Sequence, residues 1–246
     1  MNDMLKHFIS LSPKIARLPN SSPLSKEDLL IEVFRLWRDN ALEIYYAPAD
    51  YVNKDAQVAI IGITPGWHQM EIAYRTARDA IRRGLTPAQV CKQAKQKASF
   101  AGTMRVNLIK MLDSIGIPAA LGLESSESLF ENASGMLHTT SAVRYPVFVD
   151  GENYTGHKPD LLKTSRLRQY VDTLLVEELE KAKRGFIIPL GRTVSSVLEY
   201  LITTGRVEEE RCCLGFPHPS GANAHRRRQF DERRKAMRRK VTLWFR

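Results

Sequence analysis

Gln57-Val58-Ala59-Ile60-Ile61-Gly62-Ile63 is a nearly unbroken apolar run, and Thr64-Pro65-Gly66 follows it directly. A short β-branched run bounded by turn residues is the pattern of a strand buried on both faces. The Pro-Gly pair cannot continue a strand, so the chain is expected to open into a loop there. Working outward, Met136 to Val143, Gly185-Phe-Ile-Ile-Pro-Leu190 and Arg211-Cys-Cys-Leu-Gly-Phe216 have similar character and predict three further strands.

Helical spacing fills the intervals. Leu29, Leu30, Val33, Phe34, Trp37, Leu42 and Ile44 predict a helix over Lys26 to Tyr45, with Ser25 as N-cap. Glu71 to Arg83 and Thr86 to Lys97 predict two more, the second with Thr86 as cap and Pro87 in its first turn. Thr103 to Ile115, Ser165 to Lys183, Thr193 to Thr204 and Gln229 to Phe245 complete the set, and Tyr145 to Lys163 is expected to be loop. Strands separated by crossover helices imply a parallel sheet covered on both faces. The expected fold is therefore a three-layer α/β/α sandwich with a central four-stranded parallel sheet. One domain over 1–246 is expected, with a helical N-terminal extension over 1–56 and a helical insertion over 67–98.

Composition narrows the function. Of 246 residues, 43% are hydrophobic and 26% charged, which is enough apolar material for a core. No stretch is long and apolar enough for a membrane span, and Met1 to Ile15 lacks the apolar run of a secretory signal, so a cytoplasmic monomer is expected. Cys91, Cys212 and Cys213 are too few for a cysteine-held iron–sulfur cluster and read as reduced core thiols. No metal and no cofactor is expected. The net charge is +10, and Arg226 to Arg246 carries ten basic residues against Asp231 and Glu232. A positive field concentrated in one segment suits a polyphosphate partner; the same run also reads as a solvated helix face.

Ligands of open parallel sheets bind outside the carboxyl ends of the strands. Three loops at such ends carry unusual chemistry: Gly62 to His68, Thr139 to Arg144, and Gly215 to Arg226. The first resembles the Gly-x-(Asp/Asn)-Pro-(Tyr/Gly) loop of the uracil-DNA glycosylase superfamily, and His218-Pro219-Ser220 resembles its His-Pro-Ser loop. Ser99-Phe100-Ala101-Gly102 is similar to the family's Phe-x-Gly segment, and Ile187-Ile-Pro-Leu-Gly191 to its penultimate strand. The resemblance runs from about Gln57 to the C-terminus.

It implies an enzyme that flips a base from single- or double-stranded DNA and hydrolyses its N-glycosidic bond. His218 would donate a hydrogen bond to the oxyanion of the departing base. Phe100 would stack on the base, and Gly62, Pro65, Gly66, Thr140 and Ser141 would line it. Ser220, Asn223 and His225 would approach the duplex while Arg226, Arg227 and Arg228 hold phosphates.

Two departures bear on specificity. Thr64 stands where the family has an acidic or amide residue that positions water, and a hydroxyl is no general base at neutral pH. His68 and Glu71 just downstream are candidates to take over, or are surface residues at a helix start. Ser141 stands where the family reads the base with Asn. Together with the 33 residues between Gly66 and Phe100, this favours a base larger than uracil: a modified pyrimidine such as a phage-type modified cytosine, in an antiviral role. A conventional uracil repair enzyme and a catalytically weak DNA-binding relative are the alternatives.

Overall fold

The computed structural model describes residues 3–246, so the first two residues of the expected N-terminal extension lie outside the described residues. In chain order the main elements are α1 (Lys6–Ala16), α2 (Lys26–Leu29), β1 (Arg35–Asp39), β2 (Leu42–Tyr45), β3 (Val58–Gly62), α3 (Trp67–Arg82) and α4 (Pro87–Ala98). There follow α5 (Thr103–Ser114), α6 (Ile117–Leu121), β4 (Leu137–Ser141), β5 (Val147–Val149) and β6 (Glu152–Asn153). The last are α7 (Ser165–Tyr170), α8 (Val176–Lys181), β7 (Phe186–Pro189), α9 (Arg192–Thr203) and α10 (Arg226–Trp244). They fall into two compact units.

Unit 1 comprises the chain up to Tyr51 with Thr64–Ala101 and Val143–Thr155. Its sheet is antiparallel, in the order β1-β2-β5-β6. The helix expected over Lys26 to Tyr45 is corrected here. Ser25 does cap a helix, accepting from the Asp28 amide while Asp28 returns the bond, but that helix ends at Leu29. Asn40 then takes a φ of 49°, one of the few left-handed positions a non-glycine residue tolerates. It folds β1 back on β2 with Asp39 opposite Leu42. Of the residues that matched a helical stripe, Val33 and Phe34 lie in a 3-10 turn, Glu32–Phe34, and Trp37, Leu42 and Ile44 belong to the hairpin. Asp150 and Gly151, both at positive φ, make the second turn, so part of the expected Tyr145 to Lys163 loop is strand. The pair α3 and α4 lies where helical spacing placed it, and Cys91, Ala94 and Ala98 of α4 are buried.

Unit 2 comprises Val52–Ile63, Gly102–Ala142 and Gly156–Arg246. Its sheet is parallel and three-stranded, in the order β4-β3-β7. The register pairs Ile60 with Thr139 and Ile188. The expected fourth strand is corrected to a single bridge, Ile187 to Cys212. Cys213 donates to Ile187 O at 2.8 Å, and then the chain leaves the sheet. It turns at Gly215 (φ 78°), whose amide donates to Ser195 Oγ at 3.1 Å.

Paired residues in a parallel register share a face, and neighbours along a strand alternate. Phe186 shares its face with Val58 and Leu137, and its ring packs against Trp244 and Phe245 at the end of α10. His138 points to the opposite face and meets Glu178 of α8 at 2.8 Å. Helices thus cover both faces of the parallel sheet, as its continuous apolar run requires. A five-residue π turn, Val171–Leu175, joins α7 to α8 in one helix.

Candidate functional site

In unit 2, the carboxyl edge of the parallel sheet is formed by Gly62, Ser141 and the residues following Pro189. The amide of Ala142 donates to Gly62 O at 2.9 Å, and that of Leu190 to Ile61 O at 2.8 Å. Gly191 follows at φ 89° and donates to Phe216 O at 2.8 Å. A Cβ at Gly191 would come within 3.1 Å of the His218 Cβ. Only glycine takes that φ without strain and lets the imidazole lie this close to the backbone beyond β7.

The imidazole is oriented from its own loop. Ser220 N donates to His218 Nδ1 at 3.3 Å, so Nδ1 accepts and the proton of a neutral ring sits on Nε2. Burial holds the His218 pKa below the ordinary value, which favours that neutral form. The flanking prolines are buried, and Phe216 packs edge-on to Phe230 of α10 with centroids 5.9 Å apart.

Several residues assigned to DNA by the resemblance also build this loop. Asn223 Nδ2 donates to His218 O at 3.3 Å and to Gln229 Oε1 at 3.1 Å. Arg226 folds back, donating to Ser220 O at 2.6 Å, to Pro219 O at 3.3 Å and to Asn107 Oδ1 at 3.3 Å. Ser220 Oγ accepts from Ala222 N at 3.2 Å. His225 and Arg227 are exposed, and exposed Arg228 lies 3.6 Å from Glu232 one turn on. The sequence reading missed Asn107, whose Nδ2 donates to Pro219 O at 3.0 Å.

Thr140 and Ser141 are neighbours on β4, so their side chains leave opposite faces of the sheet. Thr140 shares the His138 face, and its Oγ1 is buried without a hydrogen-bond partner. Ser141 is half-buried at the strand end.

In unit 1, the chain leaving β3 forms the loop Thr64-Pro65-Gly66 and enters α3. Thr64 Oγ1 donates to Tyr145 O at 2.7 Å and accepts from Val147 N at 3.1 Å. Its single proton is committed to the backbone beside β5, leaving one acceptor lone pair for water. His68 is exposed in the first turn of α3.

Glu71 is 3% exposed. It accepts from Leu24 N at 3.1 Å and from Arg75 at 2.7 and 3.2 Å. Burial raises its pKa, but the Arg75 hydrogen bonds and the Leu24 amide outweigh that and hold it low. Both oxygens are engaged, so Glu71 anchors the segment before α2. Phe100 is buried at the end of unit 1 with φ 52°, a conformation costly for an aromatic residue.

Two further groups in unit 1 were not singled out from the sequence. Asp50 accepts from Tyr46 Oη at 2.6 Å and Tyr145 Oη at 3.0 Å in the core, and burial raises its pKa. Asn153, the last residue of β6, accepts from Trp67 N at 2.7 Å through Oδ1. The Asp150-Gly151 turn was the signal that would have placed it.

No helix among the described residues is long and apolar enough to cross a membrane. No group of three or more His, Cys, Asp or Glu side chains among them is arranged to hold a metal ion.

The family model described as the uracil DNA glycosylase superfamily matches residues 49–244. The uncharacterized protein YoxB of Bacillus subtilis (strain 168) is 42% identical over 239 residues, covering 96% of this chain and 91% of the relative.

Proposed function

The chain belongs to the uracil-DNA glycosylase superfamily, and from that premise we propose that it is a monofunctional DNA glycosylase that extrudes one non-standard base and releases it, leaving an abasic site. The observation that carries this reading is His218: a half-buried, neutral imidazole whose Nδ1 is held by Ser220 N, leaving Nε2–H as a fixed donor at the edge of the parallel sheet. As the C1′–N bond breaks, its electron pair moves onto the base. A preset donor to the base oxygen stabilises that charge without reorganising. Water adds to C1′ and gives its proton to solvent.

Phe100 is assigned the stacking role, and Gly62, Pro65, Gly66, Thr140 and Ser141 the lining of the base. With Glu71 engaged by Arg75, water orientation falls to the spare lone pair of Thr64 or to His68. Arg227, with Arg228 and the exposed cations of α10, is assigned to DNA phosphates, and Ser220, Asn223, His225 and Arg226 to the shape and duplex contacts of the loop. Thr64 and Ser141, smaller than the acidic or amide residues the family has at these positions, support a modified pyrimidine, including phage-type modified cytosine, over uracil. An antiviral role would follow from that substrate.

The committed hydroxyl of Thr64 and the engaged carboxylate of Glu71 favour one second reading, a DNA-binding relative with weak catalysis. Incubation with DNAs carrying uracil, 5-hydroxymethylcytosine or glucosylated 5-hydroxymethylcytosine, followed by alkali, separates the readings. Strand breaks at a modified base support the proposal. Breaks at uracil alone point to a conventional repair enzyme, and tight binding with no breaks points to the inactive relative.

A further inference from the structure

Within unit 2, α10 joins the two edges of the parallel sheet. At its start, Arg226 holds Pro219 O and Ser220 O of the His218 loop, beyond the carboxyl ends of the strands. At its end, the Trp244 and Phe245 rings pack on Phe186, the first residue of β7, with centroids 6.0 and 5.8 Å away. The helix therefore runs back along the strands, and at 1.5 Å per residue Arg239 lies about 20 Å farther along it than Arg226. An extruded base enters beyond the carboxyl edge, so each turn of α10 carries its cations farther from the duplex that holds that base.

Unpaired charge nevertheless grows in that direction. Asp231 and Glu232, the acidic residues of α10, each face a cation one turn away, Arg234 at 3.7 Å and Arg228 at 3.6 Å. From Arg233 to Arg246 there are seven basic residues and no acidic one. Lys235 and Arg239 are exposed and Lys240 is half-buried; none of the three makes a hydrogen bond or ion pair among the described residues. With Ala236 and Leu243 they line a groove of about 360 Å³. Positions 236, 239, 240 and 243 share one side of the helix, apart from the stripe of Phe230, Met237 and Val241 that is buried. Three free cations around a small apolar floor offer charge to phosphates and a surface to sugar carbons. DNA is favoured over an acidic protein segment because a long polymer held at one end of α10 brings further phosphates to the other end at high effective concentration.

We propose that this distal groove, centred on Lys235, Arg239 and Lys240, holds the phosphates of a second DNA segment while the first is held at the His218 loop. The inference rests on the glycosylase reading above and assigns the remote cations of α10 to a different stretch of DNA from the one that carries the extruded base. Each phosphate neutralised there releases counterions, so the second contact is strongest at low salt.

The number of duplexes bound per chain tests this. Sedimentation velocity is run at low salt with a fluorescent, unmodified duplex of about 12 base pairs in excess, on the wild type and on a Lys235→Gln, Arg239→Gln, Lys240→Gln triple variant. Expected are two duplexes per wild-type chain and one per variant chain. Should the triple variant melt below the wild type, the pair Lys235→Gln with Arg239→Gln, both at exposed positions, repeats the comparison. Two duplexes on the variant overturn the inference, as does one on the wild type; both leave the glycosylase reading intact. A DNA-free dimer also overturns it, because two chains would then hold one duplex each. So does a polyglutamate probe that binds the wild type but not the variant while only one duplex binds, which assigns the groove to an acidic protein segment. A wild type that binds no duplex overturns both readings.

Discussion

Ser220 N–H points at His218 Nδ1 across 3.3 Å, two residues along the same loop. A second proton on the ring would have to sit on Nδ1, facing that N–H. Protonation and loop geometry are therefore linked, and the ring is held in the form that donates from Nε2.

This linkage sets a pH dependence. Unfolded His218 titrates near its ordinary value of 6.5, and burial lowers the folded value. Between the two, the unfolded chain binds more protons, so stability rises with pH there. The contribution of His218 is complete above the ordinary histidine value and is lost as pH falls through the folded one. Base release is expected to fall over the same range, as the ring loses its bond to Ser220. Unfolding titrations of wild type and His218→Gln between about pH 7 and pH 5 should diverge; superimposed curves would remove the linkage.

Thr64 ties two backbone groups, Tyr145 O and Val147 N, to the loop leaving β3. Thr64→Val keeps the shape of the side chain and strands both groups. A loss of about 1–3 kcal/mol in unfolding free energy is expected, together with slower base release. Thr64→Ser keeps the hydroxyl and should restore the rate. Denaturant unfolding and single-turnover kinetics on the three proteins decide it, and full activity in Thr64→Val would detach this loop from the reaction.

Arg226 and Arg227 are adjacent but differ in their surroundings. Arg226 holds the carbonyls of Pro219 and Ser220, whereas Arg227 is exposed. Arg227→Gln with Arg228→Gln should weaken DNA binding and reduce the slope of log affinity against log salt by about 1 to 2, with base release at saturating DNA unchanged. Arg226→Ala should instead slow release at saturating DNA. Binding isotherms at several salt concentrations, read beside those rates, distinguish the two arginines; equal effects on both measures would mean that position in this run does not matter.

The parallel sheet was legible because Val58 to Gly62 and Phe186 to Pro189 are apolar on both faces, a pattern with few other uses. The hairpin of β1 and β2 was not, because Trp37, Leu42 and Ile44 extend the helical stripe that Leu29, Val33 and Phe34 begin, and only a left-handed Asn40 breaks it. The fourth strand shrank to one rung because the Gly215 turn and its bond to Ser195 pull the chain off the sheet. At the site, residue type pointed to His218 but not to its tautomer, which is set by Ser220. Charge marked Arg226 as a phosphate ligand, and only coordinates show its guanidinium turned onto its own loop.

The most direct test is single-turnover release of the base that the wild type removes, compared with His218→Ala on the same DNA at saturating protein and near-neutral pH. A donor that acts on the departing base should be worth about a hundredfold in rate, with the dissociation constant for uncleaved DNA almost unchanged. An unaltered rate in His218→Ala would contradict the account, since the neutral imidazole would then have no part in breaking the bond.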